Sequence, residues 1–267
     1  MTHPDDEDPR AKDRRETLDA LRRGVVLGAV TLALVLPPLL WHQHHQAGAA
    51  ATASALRAPA RPLPSSHVAS FGGQAPSTDV RRLVDWVAQS GDNGQRAFVV
   101  IDKKQARVWV FDPQARLQAS APAVLGAAHG DDTVPGIADK PLAQVRPEER
   151  TTPAGRFIAE PGTSASRGED VVWVDYDAAV SMHRVIKAPE RLAALATPDP
   201  SDNRLSYGCV NLPDAFYEQV LRPAVLRHGA VVYVLPETRG LAQTFAGYRE
   251  VDSPVRLARE GGEPARP

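Results

Sequence analysis

Hydrophobic positions recur along this chain in three different registers. Residues 24–41 (GVVLGAVTLALVLPPLLW) carry no charge and are apolar on every helical face. Eighteen residues of helix rise about 27 Å, enough to cross a bilayer's hydrocarbon core, so a single transmembrane helix is expected here. Val80, Leu83, Val84 and Val87 then fall at i, i+3, i+4 and i+7 behind a Ser77-Thr78 cap. They predict an amphipathic helix within residues 78–96 that ends near Gly91. From residue 97 the pattern turns to β. AFVVID (97–102) and ARVWVF (106–111) flank the polar turn Lys103-Lys104-Gln105, a hairpin signal. Residues 117–125, 155–160, 171–176 and 178–185 are further strand candidates. Pro213-Asp214 opens a helix expected to reach about residue 221, where Pro223 limits it. The continuous apolar run 230–235 (AVVYVL) predicts an interior strand.

Between these elements lie polar stretches. Residues 42–77 are rich in Ala, Pro, Ser and Gly and read as an extended linker. Residues 127–150 have little periodicity, and a loop of that length is expected to act as a lid or binding loop. Residues 237–267 are polar and read as a loosely docked tail. The expected fold class is mainly β with flanking short helices over residues 97–236, preceded by the N-terminal membrane helix.

Charge sets the topology. Arg10, Lys12, Arg14, Arg15, Arg22 and Arg23 precede residues 24–41, and no Lys or Arg follows until Arg57. Residues 1–23 are therefore expected in the cytoplasm and the bulk of the chain outside it, in the periplasm. Ala47-Gly48-Ala49 offers a signal-cleavage site, whereas the long leader with Asp5, Asp6, Glu7 and Asp8 favours an uncleaved anchor. With a net charge of −1, the chain has no electrostatic footprint for nucleic acid. Trp41 and the histidines after it read as an interfacial residue and a polar tract, and no metal site or cofactor is expected.

The only cysteine is Cys209, in Ser206-Tyr207-Gly208-Cys209-Val210-Asn211. It has no internal disulfide to make. A thiol is a weak nucleophile until it loses its proton, and a nearby imidazole or backbone amides raise the thiolate fraction. Gly208 allows a tight turn beside it, and amides around such a turn form an oxyanion hole. Taken alone, a Gly-Cys pair with a distant histidine more often describes a small core hydrophobe than a catalytic site.

Four features narrow this. Ser206 to Asn211 resembles the Ser/Thr-His-Gly-Cys-(Ile/Val)-(Arg/Asn) signature of the L,D-transpeptidases, the YkuD-type domain. The hairpin FVVIDKKQARVWVFD resembles that family's first strands. Thr152-Pro153-Ala154-Gly155-Arg156-Phe157 resembles its Thr-Pro-x-Gly-x-Phe segment, and Ser181-Met182-His183 resembles the strand ending in its catalytic histidine. The order along the chain also agrees. Two departures stand out. Tyr207 replaces the usual histidine, and the interval from His183 to Cys209 (209 − 183 = 26) exceeds the family's usual spacing. The surplus, about residues 188–204, is expected to form a loop or short helix beside the cleft.

The resemblance implies a YkuD-like β-sandwich and acyl transfer through a cysteine thioester. Cys209 would be the nucleophile and His183 the base, with Ser206, Tyr207 and Gly208 shaping the turn and its oxyanion hole. Arg184, Arg204 and Asn211 are candidates for contacts with peptidoglycan stem peptides. The same residues serve an L,D-carboxypeptidase or stem-peptide hydrolase. A catalytically silent wall-binding module is the alternative from another class. A thiol oxidoreductase is disfavoured, because no second cysteine exists to resolve a disulfide.

Overall fold

The computed structural model describes residues 67–164 and 167–251. All described residues belong to one unit of the chain, within residues 62–267. The expected membrane helix at 24–41 and most of the linker lie outside the described residues. Among those described, no helix is long and apolar enough to cross a membrane.

The domain is mainly β with short helices. In chain order the strands are β1 (Ala97–Asp102), β2 (Arg107–Phe111), β3 (Leu117–Pro122), β4 (Leu125–Gly126), β5 (Gly155–Thr163), β6 (Asp170–Asp175), β7 (Val180–Arg184), β8 (Arg204–Ser206), β9 (Val210–Leu212) and β10 (Ala230–Val234). Eight of them form one sheet in the order β3-β2-β1-β10-β5-β6-β7-β9, and β4 pairs with β8. Strand β5 belongs to both halves of that sheet. Its first part, Gly155–Ala159, runs antiparallel to β10, and Glu160–Thr163 runs antiparallel to β6.

Alternation along β1 explains why the sheet is buried on both sides. Ala97, Val99 and Ile101 point into one apolar cluster, together with Val172, Met182, Val210 and Leu212 from the other half of the sheet. The sheet therefore closes over its own core. Phe98 and Val100 point the other way, against Val80, Leu83, Val84 and Val87 of helix α1 (Thr78–Ser90). Each such fully buried side chain contributes about 1.5–3 kcal/mol. Ser77 caps α1 by accepting from the Val80 amide, and its hydroxyl donates to Asp102 at 2.6 Å. Asp102 also accepts from the Lys104 and Gln105 amides, which ties the helix start to the hairpin turn. Gly91 ends the helix at φ 68°.

Two expectations change. The helix after Pro213 does not stop at residue 221. It passes from α3 (Asp214–Phe216) through a π turn (Tyr217–Leu221) into a further helix, Arg222–His228. The wider turn accommodates the missing N–H of Pro223. Residues 237–251, read as the start of a polar tail, fold onto the domain. Leu241 and Phe245 are buried beside Trp86 and Tyr233, because one apolar residue per turn is enough to dock a short helix (Leu241–Thr244) that periodicity does not reveal. Residues 252–267 lie outside the described set.

Candidate active site

Strands β7 and β9 lie side by side and parallel, with His183 opposite Asn211 and Met182 opposite Val210. Side chains alternate between faces, so Met182 and Val210 enter the core while Ser181, His183 and Asn211 occupy the other face. Cys209 immediately precedes β9, and that register sets it beside Ser181. Its Sγ is 3.8 Å from Ser181 Oγ and 3.6 Å from the Ala179 carbonyl. The thiol is partly exposed, whereas His183 is buried.

His183 is fixed by its Nδ1, which lies 2.7 Å from the Arg184 carbonyl. A carbonyl only accepts, so Nδ1 carries the proton and Nε2 is left as the basic nitrogen. Arg167 Nη2, 3.0 Å from the same Nδ1, then acts as a nearby positive charge and not as a donor. Burial, with the Arg167 and Arg191 charges, pushes the imidazole down to about 4, against the opposing bond to Arg184. His183 is thus neutral at pH 7. Among the described residues, the hydrogen-bond partners of the thiol are Ser181 and Ala179, and no bond joins it to His183. Such contacts commonly tighten only with substrate in place.

The turn at Cys209 is built from Ser206. Its hydroxyl donates to the Cys209 carbonyl at 2.6 Å and accepts from the Gly208 amide at 3.0 Å. The Gly208 amide is therefore already occupied, which removes it from the expected oxyanion hole. The amides of Tyr207 and Cys209 make no hydrogen bond to another described residue and remain as donors. Gly208 has φ +125°, and a Cβ there would lie 2.8 Å from the Thr151 carbonyl. Beneath the turn, Thr152 Oγ1 donates to the Gly208 carbonyl at 2.8 Å and accepts from the Gly126 amide at 3.0 Å.

Thr152 is in turn held by a buried charge cluster. Lys103, with no exposed side chain, donates to the carbonyls of Thr152 and Gly130 and to Asp131. Burial pulls the lysine below its usual range while Asp131 and Glu237 oppose that. Burial alone raises Asp131, but bonds from the Thr238 side chain, the Glu237 and Thr238 amides and Lys103 hold it well below the carboxylate range. Arg204 pairs with Glu237 and donates to the Lys103 carbonyl. Arg184 pairs with Asp170 and Glu218. Both arginines expected to meet substrate carboxylates are thus committed to internal ion pairs.

Asn211 is fully buried, donates to the Cys209 carbonyl and accepts from Arg191 of helix α2 (Pro189–Ala196). It braces the turn from inside, and the helix bracing it occupies the surplus between His183 and Cys209. Tyr207 is 40% exposed, and the Arg150 guanidinium lies 4.0 Å from its ring centroid. Arg150 closes the long segment 127–150, which is shaped by three 3-10 turns at Ile137–Asp139, Leu142–Gln144 and Pro147–Glu149. His129, exposed, bonds Glu237. Sequence reasoning missed Ser181, Lys103, Arg150 and Arg191. Only Ser181 carried a signal, since it lies two residues before His183 and so on its face.

No family model matches the chain, and no curated protein matches it. Among solved structures, the domain is similar to the catalytic domain of the L,D-transpeptidase from E. faecium, solved by NMR. Identity is 19% over 53% of this chain and 98% of that one, with a TM-score of 0.33. It is also similar to Bdellovibrio bacteriovorus Bd1075, at 15% identity, 56% of this chain and a TM-score of 0.32. The match spans 51% of that protein's chain.

Proposed function

We propose that this chain is a peptidoglycan L,D-transpeptidase acting through a Cys209 acyl-enzyme, anchored by its N-terminal helix with the catalytic domain in the periplasm. The observation that carries the reading is a partly exposed thiol on a turn whose Tyr207 and Cys209 amides have no partner among the described residues, immediately before the strand that pairs with the one carrying a neutral histidine of defined tautomer. The motif resemblance supplies the substrate class. Nε2 of His183 takes the Cys209 proton, and sulfur attacks the carbonyl of the third stem residue. The tetrahedral oxyanion accepts from the Tyr207 and Cys209 amides. The C–N bond breaks, and the leaving D-alanine amine takes the proton back from His183. An amine from a second stem then attacks the thioester, gives a proton to His183, and expels the Cys209 sulfur, which takes that proton back, leaving a 3→3 cross-link. Water in place of that amine gives an L,D-carboxypeptidase with the same residues.

Full-length protein in detergent, incubated with defined tetrapeptide muropeptides, tests this. Cross-linked dimers are the expected product. Tripeptides alone mean carboxypeptidase action, and unchanged muropeptides mean a silent wall-binding module.

A further inference from the structure

Ser181 supplies the side-chain hydroxyl within hydrogen-bond reach of the thiol and has no role in the mechanism above. It is 5% exposed and lies on the site face of β7, beside Cys209 by the β7–β9 register. Its Oγ is 3.8 Å from Sγ. Sγ is also 3.6 Å from the Ala179 carbonyl. These two partners are not equivalent. A carbonyl can only accept, so the thiol S–H points to Ala179, and sulfur is then free to accept from the Ser181 hydroxyl. When the proton leaves, the Ala179 contact turns repulsive, because a thiolate faces a carbonyl oxygen. The Ser181 contact strengthens, because its acceptor has become an anion.

The turn that aims Ala179 is itself unusual. Ala179 has φ +53°, a left-handed conformation that a β-carbon disfavours. It is held there by its amide donating to the Tyr176 carbonyl, and by the Ala178 amide donating to Asp175. The segment between β6 and β7 therefore points a carbonyl at the resting thiol, and the first turn-facing residue of β7 offers a hydroxyl to the ionised one.

We propose that Ser181 is a positioning residue for Cys209: it donates to the sulfur, favours the thiolate over the thiol, and holds it on the site face of the sheet. The inference rests on Cys209 being the nucleophile of the proposed transferase. Charged and titratable groups around the Cys209–His183 pair are Arg167 and Glu169 before β6, Arg191 from α2, and Arg150 over Tyr207. Ser181 is uncharged, so replacing it leaves all of them in place.

Alkylation by iodoacetamide tests this without any stem peptide: the thiolate displaces iodide, a C–S bond forms and a C–I bond breaks. Cys209 is the only cysteine, so every cysteine adduct reports it. The rate is followed against pH in full-length protein. Ser181→Ala is expected to slow alkylation at pH 7 about tenfold and to move the pH midpoint up, the scale of one hydrogen bond to a charged group. Ser181→Thr and Ser181→Val add the same bulk, and only Thr keeps a hydroxyl. Thr is expected to restore the parent pH profile and Val to follow Ala. Equal profiles for Thr and Val, or an Ala profile matching the parent, overturn the proposal. Because muropeptide turnover is not the readout, a failed transferase assay leaves this result interpretable. A normal Ser181 effect without turnover would point to a reactive thiol of another use.

Discussion

The Arg150 guanidinium lies over Tyr207, 4.0 Å from its ring centroid, and the same side chain donates to the Val145 carbonyl through Nε and Nη2. The residue that departs from the family signature is thus clasped by the end of the long 127–150 segment. We expect this clasp to govern substrate handling more than folding. An exposed cation–π pair contributes about 0.5–1 kcal/mol, so Arg150→Ala should cost about that much stability. In muropeptide kinetics it should raise KM at least several-fold. Arg150→Lys should not rescue it, because an ammonium has no flat face to stack and no fork to grip Val145. Unchanged kinetics in both variants would remove the segment from the site.

The buried, neutral state of His183 has a consequence for stability. Its folded pKa of about 4 lies below the ordinary 6.5, so the unfolded chain binds more protons between those values. The contribution is therefore complete above about pH 6.5 and is lost as pH falls toward 4. Urea unfolding should show about 2 kcal/mol less stability at pH 4.5 than at pH 7 from this residue. In His183→Gln that part of the slope should vanish. A variant with the parent's full slope would show that His183 is not held neutral.

Adjacent lysines in one turn should behave differently. Lys103 is buried in ion pairs with Asp131 and Glu237, while Lys104 is half exposed beside Asp79. Lys103→Met takes the fully buried ammonium from Asp131 and Glu237, leaving them only Arg239 and Arg204, and should cost about 3–5 kcal/mol. Lys104→Met should stay within about 0.5 kcal/mol of the parent. Comparable effects in denaturation curves would mean that the cluster does not support Thr152 and the turn above it.

Two glycines set close approaches around the site. A Cβ on Gly126 would lie 2.3 Å from the Arg150 carbonyl oxygen, and one on Gly208 would lie 2.8 Å from that of Thr151. Both obstacles are backbone, so neither can rotate away. Gly126→Ala and Gly208→Ala should each cost about 1–3 kcal/mol in thermal or urea unfolding. Gly208→Ala should also abolish turnover, since its φ of +125° sets the direction of the neighbouring amides. A fully active Gly208→Ala would contradict the proposed oxyanion hole.

Much of the local structure was legible in the sequence. Two β-rich runs around a polar turn in 97–111 marked the first hairpin, AVVYVL marked β10, and the 80-83-84-87 spacing marked α1, because these elements carry their burial in their own apolar residues. The Gly-Cys turn and the strand carrying His183 were legible through motif resemblance. What failed to show were partnerships between distant segments. Lys103 read as a polar turn residue, yet its long stem reaches acids that arrive from the 131 and 237 regions. Arg184 and Arg204 looked available to a substrate for the same reason: Asp170, Glu218 and Glu237 meet them only once the sheet is closed. The parallel register of β7 and β9, which sets Ser181 beside the thiol, carries no sequence signal.

The most direct test of the central claim is the acyl-enzyme itself. Full-length protein is mixed with a tetrapeptide muropeptide donor in the absence of acceptor, quenched in acid, and weighed intact. The account predicts a mass increase equal to the disaccharide-tripeptide acyl group, mapped by peptide analysis to Cys209, and absent in Cys209→Ala and Cys209→Ser. His183→Ala should form it about two or more orders of magnitude more slowly. An acyl group on any other residue, or a Cys209→Ala protein that converts muropeptides at the parent rate, would contradict it.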